Sequence, residues 1–181
     1  MLSAAGGVGS MVVQLARALT GVTVIGTASR PESRQWARDL GAHHVIDHHD
    51  LVANVRAVAP DGLDYVFSPR TGGAIEAFAQ LLRPGGAITA IDEPEGMDLL
   101  PLKEKSISFH WEFMFARVLY ETPDMIAQHD LLDRVAELAD SGAIRTTLTT
   151  ELGPINVENM RRAHELVESG HMVGKVVVTG F

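Results

Sequence analysis

No cysteine occurs anywhere in the 181 residues. Disulfides and cysteine-ligated zinc are thereby excluded, and with them the small bridge-stapled secreted folds, so the chain is expected in the cytoplasm. Positive charge is also short: 15 Lys and Arg stand against 23 Asp and Glu, a formal net charge of −8. A surface for nucleic acid or for an anionic membrane needs clustered Lys and Arg, so neither partner is expected. No apolar run approaches the ~20 residues that span a bilayer. Met1 leads into glycines rather than a basic stretch and an apolar run, so no signal peptide is expected. Repeats and low-complexity linkers are lacking too.

What is present suits a buried core. Apolar residues make up 46% and charged residues 21%, and the length allows one domain or one domain with a small appendage. Met11, Val12, Leu15, Ala16 and Leu19 recur at helical spacing behind a glycine-rich start. "VTVIG" (22–26), "HHVID" (43–47), "LDYVFS" (63–68) and "AITAID" (87–92) are short apolar runs of the buried-strand kind. Between them lie helical patterns. Ser29 and Glu32 are spaced as a capping box with Pro31 in the first turn, and that helix runs to Leu40 and stops at Gly41. Leu51, Val55 and Val58 mark a second helix, and Ile75, Phe78, Ala79 and Leu82 a third, closed by "RPGG". Strands alternating with helices, each strand apolar along nearly its whole length, predict an α/β fold with a doubly wound parallel sheet.

After Asp92 the rhythm changes. "SISFHWEFMF" (106–115) predicts a long aromatic strand. Alternation puts Ile107, Phe109, Trp111, Phe113 and Phe115 on one face of it. Thr122 is placed to cap a helix from about Pro123 to Ser141. "TTLTTEL" (146–152) and "GKVVVTG" (174–180) predict two last strands, with a helix opened by Asn156 between them. The histidine pairs 43–44 and 48–49 would place their rings on opposite faces of a strand, and no helix carries a His-Glu-x-x-His pair, so no metal is assigned.

The glycine turn "AAGGVG" (4–9) fits a dinucleotide fingerprint, with Gly6 and Gly9 as its second and third glycines and Ala4 in place of the first. Such a turn lets the backbone approach a pyrophosphate while the first N–H groups of the helix point at it. A plain strand-to-helix connection would use glycines in the same way. About 20 residues further on, an NAD enzyme places an acid for the ribose hydroxyls. Here that position lies near Ala28, with no acid, followed by Ser29 and Arg30, and Arg34 one turn later. A guanidinium pairs with a 2′-phosphate that a carboxylate would repel, so NADP(H) is favoured over NAD. A class I methyltransferase shares the glycine turn, and "LRPGGAI" is similar to such enzymes. It would need a carboxylate where Ala28-Ser29-Arg30 stand.

Together, "GGVGSMVVQLAR", "TASRPESRQWARDLGAHHVID", "LRPGGAITAID" and "KSISFHWEFMF" resemble the medium-chain dehydrogenase/reductase superfamily, in its quinone-oxidoreductase-like, zinc-type alcohol dehydrogenase branch. The resemblance covers essentially the whole chain. It implies a Rossmann-type NADP-binding domain over residues 1–145, with its first strand incomplete at Met1–Ser3. Residues 146–181 would be a segment that in the family returns to an upstream GroES-like catalytic domain. It further implies cofactor contacts from the backbone of Gly6, Gly7, Val8 and Gly9, from Ser29 and Arg30, from His48 and Ser68 after their strands, from Phe113 beside the nicotinamide and from Lys175 at a phosphate. The reaction implied is hydride transfer to or from a small carbonyl, alcohol or quinone. The zinc ligands of zinc-dependent members lie upstream. Asp92, Glu93 and Glu95 cluster at the carboxyl end of a strand, where ligands bind, yet a solvated acidic loop has the same composition, and no catalytic acid or base is assigned. Without a catalytic domain the chain is expected to be inactive alone, and a catalytically inactive nucleotide-binding or dimerisation module is the alternative. In the family the aromatic strand pairs with its twin, which implies a homodimer through residues 106–115.

Overall fold

The computed structural model describes residues 1–180 and divides into two compact units: Met1–Asn54 together with the chain from Thr146 onward, and Val55–Arg145. The expected α/β class is observed, with every pair of neighbouring strands parallel.

In the first unit, α1 (Gly7–Leu19) is followed by β1 (Ile25–Thr27), α2 (Pro31–Asp39) and β2 (His44–Ile46). Ahead of them, Met1–Ser3 runs along β1: Thr27 N–H donates to Met1 O at 3.0 Å and Ala4 N–H to Thr27 O at 3.1 Å. The stub therefore behaves as a short parallel strand. The buried face of α1 is Gly9, Ser10, Val13 and Gln14, and Leu19 stays 52% exposed. The helix meets its neighbours at its smallest residues, not along its longest apolar stripe. Around Val13 pack Ala4, Val24, Ala28, Ala37, Leu40, Ala42 and Val45, with Met1, Ala16 and Trp36 at the margin. Such small side chains permit close approach of helix and strand. The Trp36 indole N–H donates to the buried Ser10 hydroxyl at 2.8 Å, so the one polar group in this contact is satisfied.

The Ser29–Glu32 capping box does not form. Arg30 is the N-cap of α2 and Pro31 its first residue, with no side-chain cap. A residue before proline is driven to extended geometry, and proline prefers the first helical position, so the cap falls one residue after Ser29. The Ser33 hydroxyl donates to Arg30 O at 2.9 Å instead. The same unit contains β6 (Leu148–Leu152), α7 (Val157–Glu168) and β7 (Lys175–Val178). Asn156 caps α7 as expected, its side-chain oxygen accepting from Asn159 N–H at 2.8 Å.

In the second unit, β3 (Leu63–Ser68), α4 (Ile75–Leu81), β4 (Leu82–Ala90) and β5 (Ser108–Trp111) form a sheet of order β3-β4-β5. The helix α3 (Leu51–Val58) precedes them and buries Val55. Phe78, Ile88 and Leu82 are fully buried at its core. α4 ends at Leu81, next to "RPGG" as expected, and β4 runs on through that stretch with a slip in its register against β3 between Leu63 and Tyr65. A 3₁₀ helix, Leu100–Lys105, delivers Lys105 to the end of α4. There its ammonium donates to Ala79 O at 2.7 Å, Gln80 O at 3.1 Å and Leu82 O at 2.8 Å, satisfying carbonyls that a helix terminus leaves open.

The aromatic strand is shorter than expected. β5 stops at Trp111, and Phe113–Phe115 turn into a short helix, α5 (Ala116–Leu119). Its edge position holds. The following helix, α6 (Ala127–Asp140), starts after a turn in which Met125 N–H donates to Thr122 O at 3.0 Å and Ala127 N–H to Asp124 O at 2.9 Å, so Thr122 is not its cap. No helix of the described residues is long and apolar enough to cross a membrane.

Candidate cofactor site

The turn between the Met1–Ser3 stub and α1 is built from residues too small to fill it. Gly6 caps α1 in extended geometry, no side chain caps the helix, and no acid occupies its first turn. A helix start of this kind leaves N–H groups open and suits an anion. At Gly9 a Cβ would strike the Ser3 carbonyl and lie 2.9 Å from Ala4 Cα, so only glycine lets α1 pass this close to the stub. At Gly7 a Cβ would fall among the Lys175 side-chain atoms, 2.7 Å from Nζ.

Lys175 reaches Gly7 because of the residue before it. Gly174 N–H donates to Ala5 O at 2.8 Å, which ties the start of β7 to the glycine turn. Gly174 has φ +66, and a Cβ there would lie 2.7 Å from Thr149 Cγ2, so both conformation and space require glycine. A second tie lies close in sequence: the Arg30 guanidinium donates to His171 O at 2.6 Å. The structure thus brings Gly6, Gly7, Val8, Gly9 and Lys175 together on one turn and links Arg30 to the same C-terminal stretch. The roles of His171 and Gly174 were not visible in sequence, since 141 positions separate Arg30 from His171.

Arg34 is engaged elsewhere, donating to Ala28 O at 3.3 Å and Val45 O at 3.0 Å. Ser29 is half-buried, one residue ahead of the α2 N-cap Arg30. His48 lies in the turn after β2, as expected of it, and there His48, His49 and Asp47 converge instead of alternating as strand residues would. Asp47 accepts from His49 N–H at 2.9 Å and from His49 Nδ1 at 2.7 Å. These two bonds, the backbone one first, hold its carboxyl below the usual range.

Ser68 and Phe113 belong to the second unit. Ser68 is fully buried and its hydroxyl is closed on its own loop, donating to Arg70 O at 2.6 Å and accepting from Arg70 N–H at 3.1 Å. Phe113 is exposed, beyond the end of β5, in an edge-to-face pair with Phe115 at 5.7 Å. Asp92 accepts from Thr71 N–H at 2.6 Å and Thr71 Oγ1 at 2.8 Å. That carboxylate fixes the loop after β3, which is a structural task and not the posture of a free base.

A family model of zinc-binding dehydrogenases matches residues 40–178. The zinc-type alcohol dehydrogenase-like protein of Staphylococcus aureus strain MSSA476 is 40% identical over 181 residues, covering 98% of this chain and 54% of that protein. A crystal structure from Rhizobium etli CFN 42, described as a zinc-dependent alcohol dehydrogenase protein, superposes with a TM-score of 0.94 at 48% identity, over 99% of this chain and 53% of that one. A mycobacterial protein solved with NADPH shares the fold, with a TM-score of 0.80 at 24% identity, over 98% of this chain and 54% of that one. The chain spans about half the length of the relatives it matches. On that match, the chain belongs to the zinc-binding dehydrogenase family of the medium-chain dehydrogenase/reductase superfamily.

Proposed function

We propose that this chain is the cofactor-binding part of an NADPH-dependent oxidoreductase that moves hydride to or from a small carbonyl, alcohol or quinone in the cytoplasm. The observation that supports it most is the uncapped start of α1 with the Lys175 ammonium laid over Gly7. Anionic oxygens suit that place: Gly7, Val8 and Gly9 offer backbone N–H groups, Lys175 offers a positive charge, and no carboxylate opposes them in the first turn.

Nicotinamide, when bound, supplies the hydride chemistry. The chain's own residues bind and orient. Arg30 selects the phosphorylated cofactor: its present partner, the His171 carbonyl, is neutral and takes one nitrogen, which leaves the guanidinium other donors for a 2′-phosphate. Ala28, buried where an acid would read ribose hydroxyls, adds no repulsion. Ser29 and His48 complete the adenosine side of the proposed set. In the second unit Ser68 offers its backbone, since its hydroxyl is taken, and Phe113 offers an exposed ring. Asp92 is held by Thr71, and since the chain spans about half the length of its relatives, efficient turnover by this chain alone is not expected. Residues from Thr146 onward are read as the segment that serves a catalytic domain, and β5 as the edge through which two copies pair.

Titration calorimetry with NADPH and NADH tests the reading. NADPH binds more tightly, and Arg30→Ala removes about 1.5–3 kcal/mol from NADPH binding while leaving NADH nearly unchanged. Equal affinity for the two cofactors in the native sequence overturns it.

A further inference from the structure

The turn after β2 holds a group of side chains that the proposed cofactor reading does not use as a set. We propose that Asp47, His48 and His49 bind a first-row divalent cation of the Zn²⁺, Ni²⁺ or Cu²⁺ class. One ligand atom from each of the three lies within 4.8 Å of the others, the sole such group of three among the described residues. Asp47 Oδ1 is 2.7 Å from His49 Nδ1 and 3.7 Å from His48 Nδ1, and the two rings lie 4.2 Å apart at 33°. A tetrahedral zinc with bonds of about 2.0–2.2 Å separates its ligands by roughly 3.4 Å. The observed spacings bracket that value, so small ring rotations at exposed positions suffice to close the set.

Three adjacent residues converge here because the backbone turns. Asp50 has φ +51 and begins the turn into α3. The Asn54 side chain buttresses it, donating to His49 O at 2.7 Å and Asp47 O at 3.3 Å, while Asn54 N–H donates to Asp50 O at 3.1 Å. The ligands are therefore presented by a braced loop. Two imidazoles and one carboxylate favour zinc, nickel or copper over magnesium or calcium, which take oxygen almost exclusively. On binding, His49 exchanges its Nδ1–H···O bond to Asp47 for a metal bond and carries its proton on Nε2. Three protein ligands leave a fourth position for water. The other exposed pairs, His129 with Asp133 at 3.2 Å and His164 with Glu168 at 3.8 Å, each offer one imidazole and one carboxylate only.

Calorimetric titration of the whole chain with ZnCl₂ decides the matter, with circular dichroism on each variant to show that it is folded. The expected result is one site, saturating at micromolar zinc. His49→Ala weakens it at least tenfold and Asp47→Asn weakens it in the same direction. The double variant His129→Ala/His164→Ala leaves it unchanged. No saturation below millimolar zinc overturns the proposal. So does binding that survives His49→Ala, or binding that is lost in the double variant.

Discussion

Around the glycine turn, apolar surface is closed by small residues. Ala4, Val13, Ala28, Ala37 and Ala42 are all buried, and the largest side chain at that core's margin, Trp36, is pinned by a hydrogen bond to Ser10. Between Trp111 and Leu132 the opposite holds: Trp111, Met114, Leu119, Tyr120, Ile126 and Leu132 are all more than half exposed. Monomeric surfaces rarely leave so many large apolar side chains close together. The apolar core of the first region is drawn from residues between Met1 and Val45. The second leaves its large apolar side chains on the surface.

The largest expected effect lies in the open region. Just past β5, Glu112 N–H donates to Ala90 O at 2.8 Å. Along a parallel strand donors alternate in direction, so Ser108 and His110 also donate toward β4, while Phe109 and Trp111 donate toward the free edge. A second copy pairing there would use those outward groups. Phe109→Pro removes one of them without touching the β4 ladder. The native sequence is expected to sediment as a dimer and Phe109→Pro as a folded monomer. At micromolar affinity the lost association is about 8 kcal/mol. A monomeric native chain would sink the dimer, and so would a proline variant that remains dimeric.

The contrast also explains what could be read in advance. "LDYVFS" became β3 residue for residue, because β4 pairs with it from Leu63 to Ser68, although Asp64 and Tyr65 are exposed. "SISFHWEFMF" has stronger strand propensity, yet only four of its ten residues form the strand. Its alternation extends past the point where β4 can pair with it, since the register ends at Ala90 with Trp111. At the site, the glycine turn was legible from composition alone. The ties of Arg30 to His171 and of Gly174 to Ala5 were not, because they join residues far apart in sequence. Two misreadings were local. Pro31 moved the α2 cap from Ser29 to Arg30, and treating His48 and His49 as strand residues hid that they sit in a turn.

A middle-sized effect is expected where the second unit does close itself. Lys105 meets three carbonyls at the end of α4 across more than twenty residues of sequence, with no local spacing to announce it. Lys105→Met keeps most of the aliphatic stem and removes the donors. Charged hydrogen bonds to groups that are then left unsatisfied predict a loss of about 2–4 kcal/mol, read as a lower urea midpoint at unchanged slope. An unchanged midpoint would show that water replaces the ammonium, and that this unit is open here as well as along its aromatic segment.

The smallest effect probes the closed region at the ammonium that begins the stub. The Met1 ammonium donates to Ile25 O at 2.9 Å beside β1, and burial lowers its pKa from 8.0 to about 6. Between those values the unfolded chain binds a proton that the folded chain does not. Stability must therefore rise with pH from 6 to 8, be level in this respect above 8, and carry the full penalty below 6. The gain across the window is about 1–3 kcal/mol for this group. The measurement is a difference: urea unfolding of the native chain against the N-terminally acetylated chain, at pH 6 and pH 8. Acetylation removes the charge and keeps an N–H for Ile25 O. The acetylated chain should be the more stable at pH 6, and the advantage should shrink by pH 8. An equal advantage at both pH values would mean that the ammonium is hydrated where it stands, and that the small-residue packing around the glycine turn does not reach the first residue of the stub.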